Sequence, residues 1–434
     1  MPRKGLPVAT GICVPEYCNA VDIFGDFTVE SRLLCVIKGK RMKNFVKTLL
    51  VCAAVFAVSC SSSEQETPEI PLQPEPDVAQ ELDAIMKRYS AVGLAVAVVD
   101  EGKIVYENTL GFKDLEAKTP WEKTDVLRIA SISKSFTATS ILQLVEAGKL
   151  SLDADVSDLM GFVIRNPKYP ETPITVRMLL SHTSSMSDAN GYFTLDNLNR
   201  ETSRTWEKAW NGYEPGSKYQ YCNLGYNTLG AIVEKVSGER FDKYVSDHIL
   251  KPLGVYAHHN VHELDASRFV GIYTFNASNS SYKRSDAYPS IEDAFADYRM
   301  GYSTPVFSPT GGLKISVGGL AKVMMMHMNM GTLGGVKILT PQSCEMMQSE
   351  ITPTNYEGER YGMALLRTND LLGGHRLVGH DGLALGAHTA MFWHPEQKFG
   401  FVIMTNGCNA KTDKVFANIL CESAECLYKN IINR

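Results

Sequence analysis

Between Ile132 and Ala147 the chain contains neither glycine nor proline, and its apolar residues (Ile132, Phe136, Ile141, Leu142, Leu144, Val145) fall around most of a helical circumference. A helix apolar on nearly all sides belongs inside a protein, so this stretch predicts the buried centre of a sizeable domain. Gly148 supplies its stop signal. Ser131 and Lys134 stand at the mouth of the same helix. Residues i and i+3 are neighbours on a helix, which brings the Lys134 amine within reach of the Ser131 hydroxyl. The first unpaired backbone N–H groups of a helix also give this end a partial positive charge, suited to an oxyanion. A serine hydroxyl needs an adjacent base to become an effective nucleophile, and Lys134 is one.

The flanking sequence predicts how that helix is enclosed. A helix is expected over Glu81 to Tyr89, then a hairpin from Gly93–Asp100 and Lys103–Glu107 about a turn at Glu101-Gly102. Residues 153–181 mix short helices and turns, and residues 190–260 read as largely helical, above all Tyr226 to Val236 and Phe241 to Leu250. Residues 275–310, rich in Ser, Asn, Tyr and Pro, read as a long surface excursion. Leu313 to Met330 and Thr340 to Ser349 are again helix-like. Strand patterns return at Arg376–Gly379, His388–Trp393 and Phe399–Thr405, before a last helix over about Lys414 to Ile431. Strands at both ends with helices between predict an α+β domain: an antiparallel sheet from both termini, flanked by helices, with an inserted mainly helical region.

Ahead of this domain, residues 1–41 show no periodicity and read as a non-native extension before a start at Met42. Met42 to Lys47 forms a short basic segment, Thr48 to Val58 an apolar run, and Ala57-Val58-Ser59-Cys60 a small-residue cleavage site. The apolar run is too short for a permanent membrane span. A cysteine directly after it resembles the bacterial lipobox, which implies cleavage before Cys60 and a lipid on its thiol. The alternative is an ordinary secretory signal cut near the same place. Residues 61–81, dense in proline and glutamate, read as an extended tether, leaving 82–434 as the globular domain. The expected location is the bacterial cell envelope, on the periplasmic face or the outer surface, with the membrane as a partner through Cys60.

A net charge of −5 gives no reason to expect nucleic acid as a partner. Cysteines in the globular part are Cys222, Cys344, Cys408, Cys421 and Cys426, an odd set without metal-type spacing or a disulfide framework. His258-His259-Asn-Val-His262 has the look of a zinc cluster, but it follows Pro252 in an expected loop, and no metal is assigned to it.

Three short motifs succeed one another: Ser131-x-x-Lys134, Tyr221-Cys222-Asn223 and His380-Asp381-Gly382. Each is weak alone, and Ser280-Ser-Tyr-Lys283, Tyr17-Cys-Asn19 and Tyr428-Lys-Asn430 match by chance in unsuitable contexts. Together, with Leu179-Leu-Ser-His-Thr-Ser-Ser-Met186, Lys251-Pro-Leu-Gly254, Thr310-Gly-Gly-Leu313 and Tyr361-Gly362, the chain from about residue 82 to 408 resembles the serine β-lactamase-related hydrolases. That family includes class C β-lactamases, D-alanyl-D-alanine carboxypeptidases, D-aminopeptidases and esterases. The resemblance implies a β-lactamase/transpeptidase-like fold, no metal or organic cofactor, and a small-molecule or peptide substrate. It implies that Ser131 attacks a carbonyl, Lys134 helps remove its proton, and Tyr221 serves as the second acid/base. Asn223 would hold the substrate or Lys134, and the backbone N–H groups of Ser131 and Leu383 would form the oxyanion hole. One such donor is worth roughly 3–4 kcal/mol of transition-state stabilisation.

The third motif departs from the Lys-Thr-Gly of the drug-hydrolysing enzymes, whose cation meets a substrate carboxylate. His380 is mostly neutral near pH 7, and Asp381 adds negative charge beside it. The expectation is therefore an esterase or D-amino-acid-type amidohydrolase. A penicillin-binding carboxypeptidase or class C-like β-lactamase is the rival enzyme, and a cell-wall ligand-binding pseudoenzyme the rival outside catalysis. Oligomeric state is open.

Overall fold

The structure, a computed structural model, describes residues 78–434. The expected extension, signal segment and Cys60 lipid site lie outside the described residues, as does most of the expected tether. Among the described residues no helix is long and apolar enough to cross a membrane.

The chain opens with helix α1 (Val78–Arg88), followed by strands β1 (Gly93–Asp100), β2 (Lys103–Asp114) and β3 (Thr119–Pro120). The central helix α2 (Ser133–Glu146), then α3 (Asn223–Ser237) and α4 (Val317–Met328), belong to the long middle region. Six further strands close the fold: β4 (Thr352–Pro353), β5 (Arg360–Tyr361), β6 (Leu366–Thr368), β7 (Leu377–Ala384), β8 (Ala387–Trp393) and β9 (Phe399–Thr405). Helix α5 (Asn418–Leu427) follows. One nine-stranded sheet runs in the order β4-β5-β6-β7-β8-β9-β1-β2-β3. Its antiparallel β1–β9 pairing, Val96 opposite Ile403, joins the two ends of the domain. The sheet is thus built from both termini, and the helical region between them is an insertion.

The near-continuous apolar run of β1 is explained by its place in the sheet. Leu94, Val96 and Val98 face one core, shared with Leu82, Ile85 and Leu420 of α1 and α5. Ala95, Ala97 and Val99 face the other, shared with α2, α3 and α4. A strand covered by helices on both sides has no solvent face to mark with polar residues. Met324, Met325 and Met326 are buried in that second core, packing α4 against the sheet.

Several boundaries differ from expectation for local reasons. Helix α1 begins at Val78, four residues inside the expected tether, because Val78, Leu82 and Ile85 bury one face against the core. Residues 190–222 are short turns rather than helices, where Gly191, Gly212, Pro215 and Gly216 interrupt any longer run. The segment Phe241–Leu250 is a five-residue α-helix to Val245 continuing as a wider-wound turn. The excursion at 275–310 holds a surface hairpin (Tyr273–Asn276 with Ser281–Arg284), but its end turns inward, and Thr304, Phe307 and Thr310 are buried. Helix α5 is shorter than expected and ends in a wider turn over Tyr428–Ile432. The histidines of the apparent metal cluster do not converge. His259 donates to the Phe307 carbonyl and His262 bonds Ser290. Among the described residues no group of His, Cys, Asp and Glu is placed to hold a metal ion.

Candidate active site

Helix α2 is buried on all sides up to Leu142. Its hydroxyls cause no difficulty there, because Ser135, Thr139 and Ser140 donate to carbonyls of the preceding turn and Thr137 donates to Pro309. Ser131 lies in a single tight turn (Ala130–Ile132) that feeds this helix. Ala130, immediately before it, is held at φ +49°, a left-handed conformation that a residue with a Cβ adopts only when its surroundings require it. Those surroundings are β7 and β8: Thr389 donates to the Ile129 carbonyl at 3.0 Å. A Cβ on Gly382 would lie 2.3 Å from the same oxygen. Only glycine lets the strand approach the serine turn this closely.

Lys134 is fully buried, and its Nζ has three partners: Ser131 Oγ at 3.1 Å, Asn223 Oδ1 at 2.9 Å and the Thr310 carbonyl at 2.9 Å. Burial pushes its pKa down to about 7, with the nearby Asp188 and Asp381 charges opposing the fall. A neutral amine has two hydrogens and one lone pair. The Asn223 and Thr310 oxygens can only accept, so both hydrogens go to them and the lone pair is left for the Ser131 hydroxyl. The amide of Asn223 is fixed in that sense, since its Nδ2 donates to Asp188 at 2.9 Å while Thr310 Oγ1 donates to its Oδ1 at 2.6 Å.

Asp188 does more than orient that amide. It also accepts the backbone N–H groups of Asn223 and Leu224, at 3.0 and 2.9 Å, and the Cys222 thiol at 3.3 Å. It therefore caps the start of α3, where unpaired N–H groups and the helix dipole favour an anion. Cys222 is buried behind the site with its thiol pushed well up by burial, so it packs rather than attacks.

Tyr221 lies over Lys134, with Nζ 4.7 Å from the ring centroid. Burial holds its hydroxyl well above the ordinary tyrosine range, while a hydrogen bond with Ser131 pulls the other way. At neutral pH it is a protonated donor. His182 positions it: its carbonyl accepts the Gln220 N–H at 2.8 Å, its Nδ1 accepts the Cys222 N–H at 3.1 Å, and its ring packs 4.3 Å from that of Tyr221. His182, at φ +59°, is itself in a left-handed turn.

The third motif lies on β7 itself, not between two strands. Neighbouring β6 pairs with β7 only as far as Gly379, so from His380 onward that edge is open to the cleft. His380 is buried and neutral, its pKa brought down to about 3 by burial and by Lys134, and its Nδ1–H donates to the Asp381 carbonyl at 2.5 Å. Asp381 is pushed up to about 6 by desolvation. Leu383 is 63% exposed and borders two cavities that meet at Ser131. One, of about 440 Å³, contains Tyr219, Tyr221, Glu359 and His380. The other, of about 90 Å³, contains Tyr192, Phe193 and Thr310.

The structure thus gathers Ser131, Lys134, Tyr221, Asn223, His380, Asp381, Gly382 and Leu383 around one cleft. Sequence reasoning missed Asp188, His182 and the contact role of Thr310. His182 and Thr310 lie in the motifs Leu179–Met186 and Thr310–Leu313 that flank the catalytic ones, whereas Asp188, in a turn with no motif of its own, carries no sequence signal.

The family model described as Beta-lactamase matches residues 78–420. The chain belongs to this family. The Protein flp of Staphylococcus aureus (strain MRSA252), at 26% identity, aligns with 76% of this chain, which spans 63% of that relative's length. The octameric penicillin-binding protein homologue from Pyrococcus abyssi superimposes with a TM-score of 0.65 at 26% identity, over 81% of this chain and 76% of its own. D-amino acid amidase from Ochrobactrum anthropi SV3, in complex with D-phenylalanine, shares the fold with a TM-score of 0.64 at 21% identity, over 82% and 99%. The Beta-lactamase family match and the helix-flanked antiparallel sheet agree with the fold expected from the three motifs.

Proposed function

We propose that the protein is a serine hydrolase that cleaves an ester or amide through an acyl-enzyme on Ser131. The observation that carries this reading is the 3.1 Å contact between Ser131 Oγ and a buried lysine amine held near pKa 7. Ser131 gives its proton to Lys134 Nζ and Oγ bonds to the carbonyl carbon. The oxyanion faces the N–H groups of Ser131 and Leu383. As the tetrahedral species collapses, Tyr221 passes its hydroxyl proton to the leaving group and is reprotonated by the Lys134 ammonium, which carries the proton taken from Ser131. Water then attacks the acyl carbon, losing its proton to Lys134, and as the bond from the acyl carbon to Ser131 Oγ breaks that proton returns to Oγ.

A neutral His380 beside an acidic Asp381 supports an esterase or D-amino-acid-type amidohydrolase over an enzyme that grips a substrate carboxylate. The second reading, a penicillin-binding carboxypeptidase, is favoured by likeness to the Pyrococcus penicillin-binding protein homologue. Separate incubation with a penicillin and a short-chain p-nitrophenyl ester distinguishes them. Ester cleavage without a penicillin effect is expected, and Ser131→Ala abolishes it. A lasting penicillin adduct favours the carboxypeptidase, rapid penicillin turnover a β-lactamase, and silence on both a binding protein.

We also propose that Cys60 carries a lipid that anchors the domain in the bacterial envelope. The basic and apolar segments before Cys60 and the proline-rich stretch after it support this. Cys60→Ser is expected to release the protein from membranes; continued membrane fractionation defeats the anchor.

A further inference from the structure

The larger cavity beside Ser131 has a chemical character that the proposed reaction alone does not explain. Ser131, Asn223 and Leu383 border both cavities, but Tyr221 borders only the larger one. Under the reading above Tyr221 protonates the leaving group, so the leaving group occupies the larger cavity and the acyl part the smaller. No lysine or arginine lines the larger cavity, whereas Glu359 and Asp381 both do. Lys134 lies buried with its amine committed to Ser131, Asn223 and Thr310.

Glu359 is the informative residue. It is 5% exposed, in the turn just before β5. Thr354 donates to one carboxylate oxygen at 2.7 Å, while the other, Oε1, is buried without a partner. No cationic side chain among the described residues pairs with it. A buried carboxylate oxygen left without a donor is costly. A second acceptor in the same cavity is also unpartnered. His380 gives its Nδ1 hydrogen to the Asp381 carbonyl, which leaves a lone pair on Nε2, and that atom is buried and unbonded. Burial without a compensating cation pushes Glu359 up to about 7, the Asp381 charge adding to the rise. Around these acceptors stand Tyr219 and Tyr361, with ring centroids 5.6 Å apart, and Tyr356 at the rim, 52% exposed. Tyrosine ring faces attract cations. The unpartnered Glu359 Oε1 and His380 Nε2, the neighbouring Asp381, the tyrosine rings and the lack of any lysine or arginine suit a group that is both positively charged and rich in N–H donors.

We propose that the leaving group of the substrate is an alcohol or amine bearing a protonated primary amino group, held by Glu359 with Asp381 alongside and the tyrosine rings around it. This deepens the serine-hydrolase reading and rests on it. A leaving group that ends in a carboxylate, as a terminal amino acid does, meets the Asp381 charge and the unpaired Glu359 carboxyl here, with no cation to receive it.

Acyl transfer tests the proposal directly, because an acceptor alcohol enters the site from which the leaving group departs. With p-nitrophenyl acetate as donor, p-nitrophenolate leaves and the acetyl group is carried on Ser131. An acceptor hydroxyl then attacks the acetyl carbon, Ser131 Oγ departs and recovers a proton, and a new acetyl ester forms in competition with hydrolysis. The acceptors are 4-amino-1-butanol (cation), 1-butanol (neutral) and 4-hydroxybutyrate (anion) at equal concentration. The transferred fraction is expected to be at least about tenfold higher for the cation than for the neutral alcohol, and lowest for the anion. Glu359→Gln is expected to bring the cation-to-neutral ratio close to one. Equal transfer to all three acceptors, or an unchanged ratio in Glu359→Gln, overturns the proposal. Absence of p-nitrophenol release is a failure of the hydrolase reading instead. Saturation-transfer NMR with the same three alcohols then decides the site: selective contact with 4-amino-1-butanol supports it, and indifference to charge removes it.

Discussion

Replacing Lys134 with methionine separates catalysis from stability. The side chain is fully buried, and its pKa falls from an ordinary 10.5 to about 7. In the unfolded chain the amine keeps its proton up to the ordinary value, so between about pH 7 and 10.5 the unfolded state binds more protons than the folded one. A depressed lysine pKa therefore costs stability below the folded value, and the cost is relieved as pH rises through that window. At about 1.4 kcal/mol per unit the full cost is about 4–5 kcal/mol. Methionine has similar length and no charge to desolvate. Its introduction leaves the Thr310 carbonyl without its Lys134 donor, a loss of about 1–3 kcal/mol; Asn223 Oδ1 keeps Thr310 Oγ1 and Ser131 keeps Tyr221. Lys134→Met is thus expected to be about 1–3 kcal/mol more stable than the parent at pH 7, with that advantage shrinking by about 2 kcal/mol at pH 9. Ester hydrolysis is expected to fall by at least about 10²-fold. Urea unfolding of both proteins at the two pH values measures the gap, and p-nitrophenol release the activity. A variant destabilised by the same amount at both pH values would refute the buried neutral amine.

Acylation is expected to rise tenfold per unit of pH up to about 7 and then level, since the proposed mechanism uses the unprotonated Lys134; a midpoint near 10 contradicts it. Asp188→Ala removes the acceptor for four donors around the start of α3 and is expected to cost about 3 kcal/mol, read by thermal or urea unfolding. Because the Asp188 charge raises the Lys134 pKa, the same variant is expected to move the midpoint of its pH–rate profile downward. Gly382→Ala places a Cβ 2.3 Å from the Ile129 carbonyl and 2.4 Å from Thr389 Oγ1; a loss of about 1–3 kcal/mol in unfolding experiments and a large loss of turnover are expected.

The parts of this fold that were legible in sequence are those whose pattern is local. The all-round burial of α2, the hairpin of β1 and β2, and the strands β8 and β9 follow from periodicity over a few residues. So does the proximity of Ser131 and Lys134, which needs only a helical turn. The meeting of Lys134 with Asn223 and Thr310 depends on chain segments far apart in sequence, and no periodicity encodes it. Asp188 is the clearest instance. It sits on a three-residue turn that shows no pattern, yet it fixes both the cap of α3 and the sense of the Asn223 amide. Thr310 was hidden for another reason, since the polar stretch that precedes it resembles solvent-exposed loop until the chain turns into the core. Glu359 likewise reads as one more surface acid in Glu357-Gly358-Glu359-Arg360, and only burial distinguishes it.

The central claim is a covalent acyl group on Ser131. Rapid acid quench of the protein during turnover of a short-chain p-nitrophenyl ester, followed by intact mass and peptide mapping, tests it most directly. The expected result is an increment of one acyl group on the peptide containing Ser131, absent from Ser131→Ala. Steady hydrolysis with no acylated protein at any quench time, or an adduct on another residue that persists in Ser131→Ala, would contradict it.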